Sequence, residues 1–154
     1  MMKMIFTRPF LPCPGKNIAI CIVLFVFMLS FFGCGGKKPL LTLTVKADET
    51  ANKGQPVYLV VRTVNSSDFI TQDYQSVAGM VMVNPPDETV ISTNLILPGK
   101  KTKIKFDRPD NRSIAVYCMF TDPKQWKLFM EKPLKKKYKI ILDNNSIHLK
   151  GMPR

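Results

Sequence analysis

A chain of 154 residues is long enough for one domain and not comfortably for two, and its formal net charge is +12. Such an excess of Lys and Arg suits anionic lipid, acidic protein surfaces or nucleic acid, and by itself selects none of them. No RNP, zinc-finger or helix-turn-helix pattern supports nucleic-acid recognition.

Residues 1–33 read as a cleaved leader. Lys3, Arg8 and Lys16 precede residues 18–32 (IAICIVLFVFMLSFF), which carry no charge. As a helix this run spans about 22 Å. That is short for a hydrocarbon core about 30 Å thick and suited to the apolar segment of a signal peptide. An uncleaved N-terminal anchor is the alternative. Gly33-Cys34-Gly35-Gly36 resembles a lipobox, in which a small residue precedes the cysteine that receives diacylglycerol. Phe31 stands where that motif usually has an aliphatic residue. The expected organisation is a signal peptide over 1–33, a lipidated tether over 34–39 and a domain over 40–154. The expected lipidation site is Cys34, and no other cofactor is expected. Asp in place of Gly35 would resemble an inner-membrane retention signal, so Gly points to the outer membrane. Removing 33 residues and their three positive charges leaves 121 residues at +9. A domain of that size holds a core without disulfides or metal. Cys118 lies in the apolar run 114–120 and is expected as a small buried core residue.

Past the tether, residues 41–47 (LTLTVKA) alternate apolar and polar side chains, the pattern of a half-buried strand. Residues 48–55 (DETANKGQ) read as a polar loop that the core does not require, longer than a hairpin connection needs. Residues 56–64 read as a second strand. Asn65-Ser66-Ser67 offers a helix N-cap, and Phe69, Ile70, Tyr74, Val77 and Ala78 recur at spacings that predict one short amphipathic helix ending near Gly79. Further strands are expected over 80–83, 89–97 and 102–106. A turn falls at Asn84-Pro85-Pro86, and a type II turn at Leu97-Pro98-Gly99-Lys100. The longest apolar run, within 112–121, predicts a central strand. Asp122-Pro123 suggests a helical turn carrying Trp126 and Phe129. Residues 138–142 and 146–149 flank Asp143-Asn144-Asn145 as a hairpin. The expected fold is mainly β: a β-sandwich of about seven to eight short strands with one or two short helices.

No constellation carries catalysis, and the chain is not expected to be an enzyme. His148 is the only histidine, with no acid beside it in sequence, and the mature part holds no HxH or Cys pair for a metal. Asp107, Asp110 and Asp122 are expected at opposite ends of a strand about 33 Å long. GxSxG and phosphate-loop motifs are absent. The basic stretch 132–139 (KPLKKKYK) leaves two readings: contact with lipid phosphates, or a solvated loop leading into an edge strand.

In their order, these pieces resemble the type VI secretion lipoprotein family called TssJ or VasD. Gly33-Cys34-Gly35 resembles its lipobox, and residues 41–47 its first strand. Asn52-Lys53-Gly54-Gln55-Pro56 with residues 57–62 resembles its Asn- and Gly-containing loop and "PVVVR"-like strand. Residues 69–74 resemble its "FxxADF" helix start, and Leu97-Pro98-Gly99 its "LxPG" turn. Residues 114–120 with Trp126 resemble its late apolar region. The chain departs from the family at Thr63-Val64-Asn65-Ser66, which replaces "VYQL", and at Lys127, which replaces an Arg. The resemblance implies a transthyretin-like sandwich, held by its lipid on the periplasmic face of the outer membrane. It also implies a partner, the periplasmic domain of the inner-membrane protein TssM. By position, the contact loop is 48–55, with Asp48, Glu49, Asn52, Lys53, Gly54 and Gln55 as candidate partner-binding residues. No nucleic acid or small-molecule substrate is expected. The competing expectation is an envelope lipoprotein whose sandwich binds a ligand or lipid in an apolar pocket.

Overall fold

The computed structural model describes residues 39–81 and 87–151, all within one compact unit, Lys38–Arg154. The expected leader, Cys34, and the turn at residues 84–86 lie outside the described residues. Eight strands form: β1 Leu40–Ala47, β2 Val57–Thr63, β3 Val90–Ile96, β4 Lys101–Asp107, β5 Ile114–Met119, β6 Lys127–Met130, β7 Lys137–Leu142 and β8 Ile147–Leu149. Two helices, α1 Ser66–Thr71 and α2 Tyr74–Met80, sit between β2 and β3 in sequence. The strands make two four-stranded sheets, in the orders β4-β1-β7-β8 and β3-β2-β5-β6. The fold is the expected transthyretin-like β-sandwich.

Alternation builds the interior. Leu41, Leu43, Val45 and Ala47 of β1, with Ile104 and Phe106 of β4 and Ile140 and Leu142 of β7, turn one face of the first sheet inward. Leu59 and Val61 of β2, with Ile114, Val116 and Cys118 of β5, meet them from the second sheet. The second sheet is apolar on its other face as well. Val60, Ala115 and Tyr117 pack there with Val64 and with Val77 of α2, and Phe69 of α1 joins them. Burial on both faces is why β2 and β5 read as continuous apolar runs rather than alternating ones.

The single helix expected after residue 65 is two. Asn65 caps α1 by accepting the Asp68 N–H at 2.8 Å, and the chain then turns extended at Gln72. Asp73 caps α2 by accepting the Ser76 N–H at 2.9 Å and the Ser76 hydroxyl at 2.6 Å. These Ser76 bonds, the hydroxyl first, hold the Asp73 carboxyl below its ordinary range. The stabilisation is present above the usual carboxylate pKa and is lost as pH falls below it through the lowered pKa of the folded state. Lys127 closes the other end of α1, its Nζ donating to the carbonyls of Phe69 (2.7 Å), Ile70 (3.3 Å) and Gln72 (3.0 Å). A cation there suits orphaned C-terminal carbonyls. The strand expected over 80–83 begins instead as the end of α2 and a turn at Val81.

The helical turn expected around Trp126 is a strand. Residues 127–130 pair antiparallel with β5, from Ile114 opposite Met130 to Tyr117 opposite Lys127. Leu128 and Met130 face in while Lys127 and Phe129 face the helices, so the true period is two. Asp122-Pro123, the signal for the expected helical turn, leads instead into an extended segment. β7 is likewise not an edge strand: it lies between β1, which it pairs in parallel, and β8.

Trp126 is partly buried where both apolar clusters meet, stacked edge-on against Tyr74 (5.2 Å between centroids) and tilted against Tyr117 (5.6 Å). Trp126→Ala is expected to cost about 3 kcal/mol. Thermal unfolding followed by circular dichroism should show a melting temperature lower by about 10 °C. An unchanged value would mean that the indole is not part of the core.

Candidate functional site

The 48–55 segment does not close a hairpin. β1 and β2 belong to different sheets, so this connection must cross the sandwich, a gap of about 10 Å. That crossing takes up part of its length. The turn at residues 97–100 makes the same kind of crossing from β3 to β4. There the Lys100 N–H donates to the Leu97 carbonyl at 3.3 Å and Gly99 adopts φ +69°, as the expected type II turn requires.

Asn52 ties the end of the sandwich together. It is buried, with φ 50° and ψ 41°, a left-handed conformation that Asn tolerates better than most residues. Its N–H donates to the Asn144 carbonyl at 2.6 Å, and its Nδ2 donates to the Pro56 carbonyl at 3.0 Å. Its Oδ1 accepts the Thr121 N–H at 2.7 Å. One side chain thus joins the 48–55 segment to the chain after β5, while its backbone joins it to the β7–β8 turn. Lys53 N–H donates to Asn144 Oδ1 at 3.1 Å, and Lys53 Nζ lies 3.7 Å from an Asp122 carboxylate oxygen. The Asp48 carbonyl accepts the N–H groups of Ala51 (3.0 Å) and Gly99 (3.2 Å). The expectation that the core does not require this segment is therefore corrected. Ala51 and Asn52 are buried, and Asn52 holds structure rather than presenting itself to a partner. Glu49, Lys53, Gly54 and Gln55 are exposed and Asp48 is half-buried.

Three apolar side chains at this end were not foreseen. Tyr58, opposite Leu95 across β2 and β3, is 40% exposed, Leu95 is 50% exposed and Leu97 is 39% exposed. They stand beside the exposed part of the 48–55 segment: Tyr58 is the second residue of the strand that follows it, and Leu97 opens the turn whose Gly99 it binds. The period-two pattern of β2, with Val57 and Leu59 inward, contains the signal that Tyr58 points outward. Nothing in the sequence says that its neighbour on β3 is another exposed apolar residue.

β1 enters the sandwich at the opposite end. The Pro39 carbonyl accepts the Arg108 N–H at 2.8 Å, beside residues 107–113, and Arg108 Nη1 donates to the Leu134 carbonyl at 3.2 Å. The eight residues of β1 put about 26 Å between this entry and the 48–55 segment. Asp107 and Asp110 belong to the entry end and Asp122 to the other, as their spacing implied. His148 does have an acid at hand, because the β7–β8 turn returns Asp143 Oδ2 to 2.7 Å from Nε2. Among the described residues no group of three His, Cys, Asp or Glu could hold a metal ion. Cys118 is fully buried, and burial pushes its thiol far above the ordinary pKa. The grooves beside residues 108–112 and 132–134, and beside 129–139 and 149–151, are open and partly walled by charge.

A family model described as "IglE, N-terminal domain" matches residues 58–142. No curated protein matches the chain. Among solved structures, Lip of Serratia marcescens, a membrane-bound component of the type VI secretion system, superposes with a TM-score of 0.59 at 14% identity, covering 72% of this chain and 96% of its own. The type VI lipoprotein TssJ1 of Pseudomonas aeruginosa gives 0.59 at 15% identity, covering 76% and 98%. A chain of the structure of the type VI protein TssM C-terminal domain from EAEC gives 0.52 at 19% identity, covering 71% and 98%.

Asn52→Ala leaves the Thr121 N–H and the Pro56 carbonyl without partners and keeps the left-handed backbone. It is expected to cost about 3 kcal/mol. Urea unfolding should show the loss as a lower midpoint with an unchanged slope. Stability equal to the wild type would show that water replaces these bonds without cost.

Proposed function

The chain belongs to the IglE N-terminal-domain family, a type VI secretion lipoprotein family, and from that premise we propose that it moors the secretion machine's membrane complex to the outer membrane. Cys34 carries the lipid, the domain faces the periplasm, and the end bearing the exposed part of 48–55 with Tyr58, Leu95 and Leu97 binds the periplasmic part of a TssM-like inner-membrane protein. No catalytic step is involved.

The observation that carries this reading is the placement of the two ends of β1. The residues that follow Cys34 lead into one end of that strand, and the candidate contact surface lies at the other, about 26 Å away. Tension between partner and lipid then loads β1 along its length. It pulls across the hydrogen bonds to β4 and β7 together, so no pair need break before the others. Acyl chains at about 0.8 kcal/mol per buried CH₂ supply the membrane hold, and several chains outlast a marginal single one. At the other end, exposed apolar side chains amid charged and amide groups resemble the composition of a protein interface, an apolar centre with a polar rim. The Asn52 bonds hold that surface in one shape before binding, which lowers the ordering cost.

Cys34→Ser is expected to abolish palmitate labelling of the chain in cells. Labelling at the wild-type level would refute acylation at this cysteine. For the contact surface, Tyr58→Ala with Leu95→Ser should weaken binding to the TssM-like periplasmic domain at least tenfold, about 1.4 kcal/mol, without lowering the melting temperature. Interferometry on the two purified partners measures it. Unchanged affinity would move the contact to another face, with residues 107–111 the next candidate.

A further inference from the structure

The two outer faces of the sandwich differ. The second sheet's outer face is covered by α1 and α2 over Val60, Ala115 and Tyr117. The first sheet's outer face carries a lattice of lysines. Along β1 the outward positions are Leu40, Thr42, Thr44 and Lys46. Thr42 is flanked by Lys105 of β4 and Lys137 of β7, Thr44 by Lys103 and Lys139, and Lys46 by Lys101. All six lysines are exposed. Only Lys46 has an acid in reach, Asp48 at 3.9 Å, and the other five form no ion pair among the described residues. Asp107, at the end of β4, shares this face, and so does Asp143, held 2.7 Å from His148 of β8; Ile141 of β7 stands opposite Lys46.

Protection of a sheet edge explains lysines on β4, which is an edge strand. It does not explain Lys46, on the interior strand β1, or Lys139, whose carbonyl accepts the Lys150 N–H at 2.9 Å beside β8; Lys137 lies beyond the β7–β8 pairing. Like charges placed opposite one another, as Lys46 and Lys101 are, weaken a sheet. The Lys46–Lys101 pair therefore does not favour folding, and an external anion would relieve the crowding of positive charge on this face.

We propose that this face docks on a bilayer surface of anionic phospholipid, the ammonium groups lying among headgroup phosphates. Two features select a membrane over other anions. The first is reach. Residues 35–39 separate Cys34 from β1, and five residues span at most about 18 Å when extended, so a lipid on Cys34 keeps the face within reach of headgroups. This part rests on the acylation of Cys34. The second is shape and composition. Strands about 4.8 Å apart and outward residues about 6.7 Å apart make a flat grid of charge. Short threonines between the lysines leave the ammonium groups free to reach a plane. Leu40, 56% exposed at the margin nearest the tether, is apolar where contact with lipid begins. Docked in this way, with no partner pulling, β1 lies along the bilayer, and the helical face and the end bearing Tyr58, Leu95 and Leu97 stay clear of it. Tension along β1 lifts the face from the lipid and brings the strand into line with the pull.

The test uses the native chain reconstituted on two kinds of vesicle, one of phosphatidylcholine alone and one with about a third phosphatidylglycerol. Amine-reactive labelling read by mass spectrometry should be slowed about fivefold at Lys103, Lys105, Lys137 and Lys139 on the anionic vesicles relative to the neutral ones. High salt should abolish the difference. Lys53 and Lys124 should label equally on both. Equal labelling of the four face lysines on the two vesicles overturns the proposal, as does protection by peptidoglycan sacculi without protection by anionic vesicles. Replacing the four by serine removes exposed charge only. That variant should keep its melting temperature and lose its salt-sensitive preference for anionic vesicles, and a retained preference also overturns the proposal. The mass of the Cys34 peptide from the same samples reports acylation separately. A chain without lipid shows that the anchor is wrong, while the lysine pattern still reports on the face.

Discussion

The structure depends on a constraint set by β1. A strand that alternates Leu and Val with Thr and Lys can bury one side only. Leu41, Leu43, Val45 and Ala47 therefore need a second apolar surface opposite them, and β2 and β5 supply it. Once β1 is fixed between β4 and β7, its wet side is fixed too, and every residue level with Thr42, Thr44 and Lys46 on the neighbouring strands faces water. A shift of register by one residue would reverse both sides of the sheet at once.

The second sheet solves a different problem. β2 and β5 carry apolar residues at consecutive positions, so a two-layer sandwich alone would leave Val60, Ala115 and Tyr117 exposed. The short helices between β2 and β3 form the third layer. Neither is long enough to be stable alone. Each rests on caps at Asn65 and Asp73, on the Lys127 ammonium beneath the end of α1, and on packing of Phe69 and Val77. Arg62, buried beside this layer, donates from Nε and Nη2 to the Thr89 hydroxyl at 2.9 and 2.7 Å. A buried guanidinium needs such partners to be tolerated at all.

Crossings between sheets concentrate polar bonding at one end of the molecule. A chain leaving one sheet for the other loses its ladder partners, and its N–H and C=O groups must find others. Asn52 and Asn144 supply them for three segments at once. The rigidity that results leaves Tyr58, Leu95 and Leu97 exposed on a firm support rather than on a flexible loop. On the mooring role proposed above, the entry of β1, the strand itself and this supported end would lie in one line through the domain.

Much of this was legible in the chain. Period-two alternation located β1 and β4, an unbroken apolar run marked β5 as central, Pro-Gly set the turn before β4, and Asp-Asn-Asn set the β7–β8 hairpin. These are local signals, and local sterics decide them. The ordered family motifs also pointed to the right fold. What failed was whatever depended on a neighbour distant in sequence. The strand at Lys127–Met130 exists because β5 offers it a ladder, whereas the local Asp122-Pro123 signal pointed to a helical turn. β7 is interior because β1 pairs with it in parallel across ninety-odd residues. Residues 48–55 looked like a free loop because their composition is polar, and composition cannot show that Asn52 turns inward to satisfy Thr121 and Pro56. The lysines of the first sheet stand far apart in the chain, and only strand register lays them on one face. By itself the sequence determined the class of fold, most of its strands and its charge. Which strands became neighbours, and so which side chains share a surface, was decided by tertiary pairing, because burial and hydrogen bonding are satisfied between segments that no local pattern connects.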